Sequence, residues 1–329
     1  AAVPPPPPAA ACCGSLSATL QSASATKHSS STPAAAASGA AAAAVGGGYL
    51  WAASSRHEAA REPGGAPRAL RAGEALYCTL TEKQWVTPSA VRLRFALPSA
   101  EHVLGLPVPG HVMVIDDAQI YRPYSPVTVD SQAAGYFELL VRHYPGGEIS
   151  TRLAKMSPGE RAHFRGPVGN AFEYTASAAP RRIGMVAGGT GVTPLWQVVQ
   201  AALADEEDRT RLSLVYASRR ADDILLRDEL ERAAAAHPDR FSVCFVVSEG
   251  GGAPAGGVAG RIDAAVLQRH LPQPSEDGSG VLVCGPDSML RALCGPRARD
   301  GGLAEAARRP PLGGLLRQLG YEDWQVCWL

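Results

Sequence analysis

Arg122-Pro123-Tyr124-Ser125 puts a guanidinium, a phenol ring and a hydroxyl within four residues. A guanidinium can hold a pyrophosphate through paired charge-assisted hydrogen bonds, and a tyrosine ring can cover a flat heterocycle. On a strand, alternation puts Arg122 and Tyr124 on one face and Pro123 and Ser125 on the other, unless the prolines twist it. A structural strand with a capping arginine would produce the same run. The second run, Gly146-Gly147-Glu148-Ile149-Ser150-Thr151, directly precedes a short helical pattern. Glycines let backbone approach a phosphate, and a helix start offers free N–H groups with a positive dipole. Ser150 or Thr151 is expected to be N-cap and phosphate ligand together. A capped helix after a turn is the plainer alternative.

The third run is Gly188-Gly189-Thr190-Gly191-Val192-Thr193-Pro194, between an apolar stretch ending at Ala187 and a helical pattern from Leu195. Open α/β sheets bind nucleotides at the carboxyl end of their first strand, and Pro194 suits a first helical turn. Pro194 also stands where the third glycine of the common dinucleotide fingerprint would come, so a purely structural turn stays open. The fourth run, Cys284-Gly285-Pro286-Asp287-Ser288-Met289, again falls between a strand and a helix. Its cysteine is either a small buried hydrophobe or a side chain facing the nucleotide crevice. Four such loops in this order, split between two kinds of structure, argue together for two nucleotide sites.

The elements that must position these loops fall into two groups. Val91, Leu93 and Phe95 alternate with Arg92, Arg94 and Ala96, the period of a half-buried strand. Further strands are expected at His111–Asp116, Tyr121–Val129, Tyr136–Tyr144 and Arg161–Phe164, with one helix at Ser150–Met156. Short strands with a single helix predict a small antiparallel β-barrel. After Pro180, strands at Ile183–Ala187, Leu212–Ala217, Phe241–Val247 and Val281–Cys284 alternate with helices at Leu195–Ala204, Ile224–Ala236 and Ala264–His270. That alternation predicts a parallel sheet covered by helices. Gly295–Pro311 breaks the rhythm as an expected surface insertion, before a helix at Leu312–Leu319 and a strand at Trp324–Leu329. The expected organisation is a low-complexity segment over 1–73, a barrel over 74–179 and an α/β domain over 180–329.

The 329 residues carry no formal net charge, which gives no sign of a nucleic-acid binder. Seven scattered cysteines with no C-x-x-C pair argue against a disulfide framework and against zinc or iron–sulfur sites. The start of the chain holds a proline run (Pro4 to Pro8), serine clusters and alanine runs, with no Asp or Glu before Glu58. It has too few large apolar side chains to offset its ordering entropy and is expected to be disordered. An acid-poor, Ser/Ala-rich start suits organelle import, to the mitochondrion or alternatively the chloroplast; a tail of no consequence is the other reading. Residues 35–53 are uncharged and near the length of a membrane span, but mostly Ala and Gly, which leaves an anchor open.

From about Leu76 to the C-terminus the chain resembles the NADH–cytochrome b5 reductase family, within the ferredoxin–NADP reductase superfamily. The resemblance is carried by Phe95-Ala96-Leu97-Pro98-Ser99, His102, Leu104-Gly105-Leu106-Pro107, His111 and Phe164-Arg165-Gly166-Pro167, by the four runs above, and by Leu319-Gly320-Tyr321. The long segment before that last motif is similar to mitochondrial members of plants and algae. The resemblance implies an FAD-binding barrel and an NAD-binding α/β domain. Arg122 would hold the FAD pyrophosphate, Pro123 would belong to the cofactor site beside it, and Tyr124 would lie against the isoalloxazine. Ser125 would hydrogen-bond near flavin N5, with His111 behind it as proton partner. Arg142 and Tyr144 would border the flavin, and Gly146, Gly147, Ile149, Ser150 and Thr193 would complete the FAD site. Gly188, Gly189, Thr190 and Gly191 would cradle the nicotinamide nucleotide, and Cys284, Gly285, Pro286 and Met289 would place its ring. Ser125, His111 and Cys284 are the candidate catalytic residues.

The implied activity is hydride transfer from NADH to FAD, then single electrons to cytochrome b5 or a similar haem protein, by a chain acting as a monomer. Many relatives have an acid that opposes a 2′-phosphate where Ser248 stands here, with Glu249 following, so NADPH use stays open. Leu329 replaces the usual terminal Phe, and Ser125 stands where close relatives often have Thr. Rival readings are an NADPH-dependent ferredoxin- or flavodoxin-type reductase and a flavin electron-transfer subunit active only in a complex.

Overall fold

The computed structural model describes residues 65–116, 118–167, 172–177, 179–250, 252, 254–296 and 311–329. Residues 1–64 of the expected low-complexity segment lie outside the described residues, as does most of the expected insertion. The last part of that segment is corrected, because Ala69 and Leu70 donate to Val103 O and Leu104 O and Leu70 is buried in the core of the first half.

Six antiparallel strands form the first half: β1 (Leu76–Thr87), β2 (Ala90–Ala96), β3 (Val112–Ile115), β4 (Tyr121–Tyr124), β5 (Tyr136–Arg142) and β6 (Arg161–Arg165). They pair in the order β4-β3-β6-β1-β2-β5 around one core. Alternation makes that core: Val91, Leu93 and Phe95 of β2 point inward beside Phe137, Leu139 and Val141 of β5. Phe95, Phe137 and Phe164 pack as a trio with ring centroids 5.0 to 5.5 Å apart, a geometry that suits the ring quadrupoles. One helix, α1 (Glu148–Lys155), adds Ile149, Leu153 and Ala154 to the same core.

The second half is a six-stranded parallel sheet of β7 (Arg182–Gly188), β8 (Arg211–Ser218), β9 (Phe241–Val247), β10 (Val258–Ala259), β11 (Ser279–Cys284) and β12 (Val326–Trp328). Helices α2 (Val192–Ala204), α3 (Arg227–Ala236), α4 (Ala264–His270), α5 (Asp287–Cys294) and α6 (Gly314–Gln318) alternate with the strands. Strand order is β10-β9-β8-β7-β11-β12, so the chain leaves β7 in one direction and returns on its other side as β11. That reversal is the switch point at which sheets of this class open a crevice for ligands. Ile183, Met185 and Ala187 enter one core and Val186 the other, which explains why these strands read as continuous apolar runs.

Two expected elements are corrected, and one short strand is added. The strand expected over Tyr121–Val129 ends at Tyr124; Pro126, just beyond it, lacks the N–H a ladder needs. The helix expected from Ile224 begins at Arg227. Leu226 takes a left-handed conformation with φ 55°, while Ile224, Leu225 and Leu226 enter the core beneath. The two-residue β10 was not expected, being too short to show a period.

Barrel and sheet share apolar contacts, since Ala90, Val127 and Leu140 of the barrel belong to the α/β core cluster. Polar ties cross as well. Asp223 accepts from Arg142, Ser89 and Thr87, and Glu229 of α3 pairs with Arg92.

Candidate functional site

Gly188 ends β7 and Cys284 ends the adjacent β11, so the third and fourth runs meet across the switch point. A Cβ on Gly191 would lie 2.2 Å from the Cys284 carbonyl oxygen. Glycine there lets one loop lie on the other. Met289 and Pro286 close over Gly188 in the same way. Gly189 differs, with φ 55° and open space where a side chain would be; it is the half-buried bend of the loop. Its carbonyl accepts from the buried Tyr216 hydroxyl at 3.0 Å, and that hydroxyl accepts from Leu225 N at 3.2 Å. Burial pushes the Tyr216 phenol well above its ordinary range, so it stays protonated as a donor. Thr193 is buried and donates to Thr190 O at 3.1 Å. Its hydroxyl tightens the loop.

On the barrel, Arg122 is exposed on edge strand β4 and donates to its neighbour, Tyr121 O, at 2.8 Å. Tyr124 is half-buried against the barrel core, and burial pushes its phenol up to about 12. The pairing of Val112 with Tyr124 sets His111 opposite Ser125 one step further along. No hydrogen bond joins His111 to Ser125 among the described residues. Desolvation lowers the His111 pKa, favouring neutral imidazole.

The second run differs from expectation in detail. The N-cap of α1 is Gly147, with no side-chain cap, and not Ser150 or Thr151. Ser150 is buried, and its hydroxyl accepts from Tyr144 N at 3.3 Å and donates to Gly147 O at 3.4 Å. The hydroxyl shapes the turn, while the first-turn N–H groups have no partner within the helix, as at any helix start, and can donate to an anion. Ile149 points its side chain into the barrel core and has only its backbone to offer a ligand. Arg142 is engaged with Asp223, at 2.6 Å to Oδ2 and 3.2 Å to the backbone oxygen. Tyr144 stands exposed beside Gly146 and Gly147.

Residues 77–174 match the oxidoreductase FAD-binding domain and residues 185–295 the oxidoreductase NAD-binding domain. NADH-cytochrome b5 reductase 1 of Eremothecium gossypii is 40% identical over 216 residues, 64% of this chain and 74% of that protein. The chain belongs to the NADH-cytochrome b5 reductase family. Nitrate reductase [NADH] 1 of Nicotiana tabacum is 38% identical over 250 residues, 69% of this chain but 27% of that protein. Among solved structures, the cytochrome b5 reductase domain of Ulva prolifera nitrate reductase has a TM-score of 0.66 at 28% identity, covering 80% of this chain and 100% of that one. Membership makes the chain an oxidoreductase with FAD and NADH as its cofactors. Its residues fit both: an exposed arginine beside a ring-sized tyrosine and a helix start on the barrel, and a glycine bend with open space above it at the switch point of the sheet.

Sequence reasoning missed Tyr216, Asp223 and Gln197. Gln197 carries a signal, as the polar residue inside the apolar stretch Leu195-Trp196-Gln197-Val198-Val199. The other two act through partners distant in sequence.

Proposed function

We propose that the chain is an NADH-dependent reductase of cytochrome b5 or a similar haem protein, with its chemistry where β4, the β7 loop and the β11 loop converge. The observation that carries this is the meeting of the glycine loop and the Cys284 loop at the switch point, on a helix tied to the barrel segments of His111 and Ser125. FAD, when bound, supplies acceptance of a hydride and release of electrons one at a time. Arg122 and the first turn of α1 hold phosphates, and Tyr124, kept protonated, covers a ring face. Ser125 offers a hydroxyl, and His111 stays neutral behind it. Gly189 lets a dinucleotide approach the backbone, while Cys284, Gly285, Pro286 and Met289 form the wall behind its ring. The residues' work is to stack and orient two cofactors and exclude water.

Ser248 is exposed at the end of β9, its N–H on Ser218 O and the next N–H on Arg219 O. No carboxylate stands at that first position, which supports residual use of NADPH. The acid-poor start of the chain supports import into the mitochondrion as its address.

The full chain should purify yellow with FAD, bleach anaerobically with NADH and reduce cytochrome b5, with slower turnover on NADPH. A protein that takes up no FAD, or stays oxidised with NADH, sinks the proposal. FAD uptake and bleaching without cytochrome b5 reduction would sink only the acceptor.

A further inference from the structure

Gln197 is 2% exposed, on the face of α2 that meets the barrel. Its Oε1 accepts from Gly110 N at 2.7 Å, while Nε2 donates to Gly110 O at 3.2 Å and to Pro126 O at 2.7 Å. The amide thus spends three of its four hydrogen-bonding positions on barrel backbone. Gly110 immediately precedes His111, and Pro126 immediately follows Ser125. Neither neighbour is interchangeable. A Cβ at Gly110 would lie 2.4 Å from Pro107 O, and Pro126 has a carbonyl but no N–H to offer.

The same helix starts at Val192, directly after Gly189-Thr190-Gly191. Gln197 stands five positions on from Val192, about 7.5 Å along the axis. One rigid element therefore carries the nucleotide loop at its start and grips both flavin-side segments one and a half turns later. Gln200, on the next turn, makes a different kind of contact. Its Nε2 donates to Val127 O at 2.9 Å and to its own helix at Trp196 O, so it fastens barrel to sheet without touching the flanks of His111.

We propose that Gln197 is a positioning residue for hydride transfer, fixing His111 and Ser125 in register with the glycine loop. The inference rests on the NADH-to-FAD reading above. A cross-domain amide that served only as an adhesive would be matched by Gln200; one that sets register would not. The difference follows from where the acceptors lie. Displacing Gly110 and Pro126 moves the strand ends on which His111 and Ser125 sit, and misplacements of about 1 Å near a reacting centre cost on the order of 100-fold in rate.

The test compares Gln197→Met with Gln200→Met in the full chain. Methionine keeps the length and removes the amide, and Gln197→Glu, which keeps an acceptor but loses both donors, serves as a second variant. Hydrogen exchange of the protein without added cofactor reads the clamp directly. Peptides covering Gly110 should lose protection in Gln197→Met and keep it in Gln200→Met. Anaerobic rapid mixing of the FAD-loaded proteins should show flavin reduction at saturating NADH at least tenfold slower in both Gln197 variants. The NADH concentration for half-maximal rate should move less than threefold, and Gln200→Met should stay within twofold of wild type. Unchanged protection at Gly110, reduction within twofold of wild type in the Gln197 variants, or an equal loss in Gln200→Met would each overturn the proposal. Wild-type protein that NADH does not bleach would instead refute the function, while the exchange measurement would still report on the clamp.

Discussion

Ser125 and His111 meet at the end of an antiparallel pair, and their environments assign them different work. Ser125 is half-buried and makes no hydrogen bond with another described residue, so its hydroxyl is available to a cofactor. One hydrogen bond aimed at a reacting group is worth about 1 to 1.5 kcal/mol, roughly tenfold in rate. Ser125→Ala is therefore expected to slow flavin reduction about tenfold at saturating NADH, with less change in the Michaelis constant. Rapid-mixing spectroscopy showing an unchanged rate would remove that role. His111 is read through pH. Burial holds its folded pKa below the ordinary 6.5, so the native state binds its proton less readily than the unfolded chain. That contribution to stability is fully present above pH 6.5 and is lost as pH falls through the lower, folded value. His163 and His270 are shifted in the same direction by burial and share the trend. His111→Gln should make the fall in melting temperature below pH 6.5 shallower without abolishing it; an identical slope in thermal melts would contradict a desolvated imidazole.

At the scale of elements, glycines that look alike in sequence do different things. Gly191 is pressed on the Cys284 carbonyl, and alanine there must separate two loops, at a cost of about 3 kcal/mol. Gly189 has open space but a left-handed backbone, and alanine there costs about 1 kcal/mol. Gly191→Ala should thus lower the melting temperature by several degrees. Gly189→Ala should barely shift it, yet weaken NADH binding in a titration. Equal melting shifts would show that the two positions are not distinct. The sheets themselves were legible from the chain, because alternation in β2 and apolar runs in β7 and β11 report burial on one face or two. The glycine and cysteine loops were legible because strand ends fix their place. The cap at Gly147 in place of Ser150 or Thr151 was not legible, because the sequence does not show which residue begins the helix. The pairing of Arg142 with Asp223 was not legible, because the partner lies 81 residues further on and no local pattern announces it.

At the scale of the molecule, barrel and sheet are joined at several places, which bears on how they unfold. Apolar residues of the barrel complete the α/β core, Gln197 and Gln200 tie α2 to the barrel, and Asp223 gathers Arg142, Ser89 and Thr87. The Arg142 and Asp223 side chains are 15% and 16% exposed, so this pair is screened far less than one on the open surface. Asp223→Ala would strand a mostly buried guanidinium whose Nε already has no partner, and removing one member of a buried pair costs about 3 to 5 kcal/mol. Replacing both members together should cost less, because no charge is then left behind. The expected calorimetric result is one cooperative transition for the wild type, lowered by roughly 6 to 15 °C in Asp223→Ala. Arg142→Leu with Asp223→Leu should recover part of that shift. Two separate transitions in the wild type would mean that the halves fold independently and that these ties do not couple them. A double variant no better than the single one would mean instead that the hydrogen bonds from Ser89 and Thr87, not the ion pair, account for what Asp223 contributes.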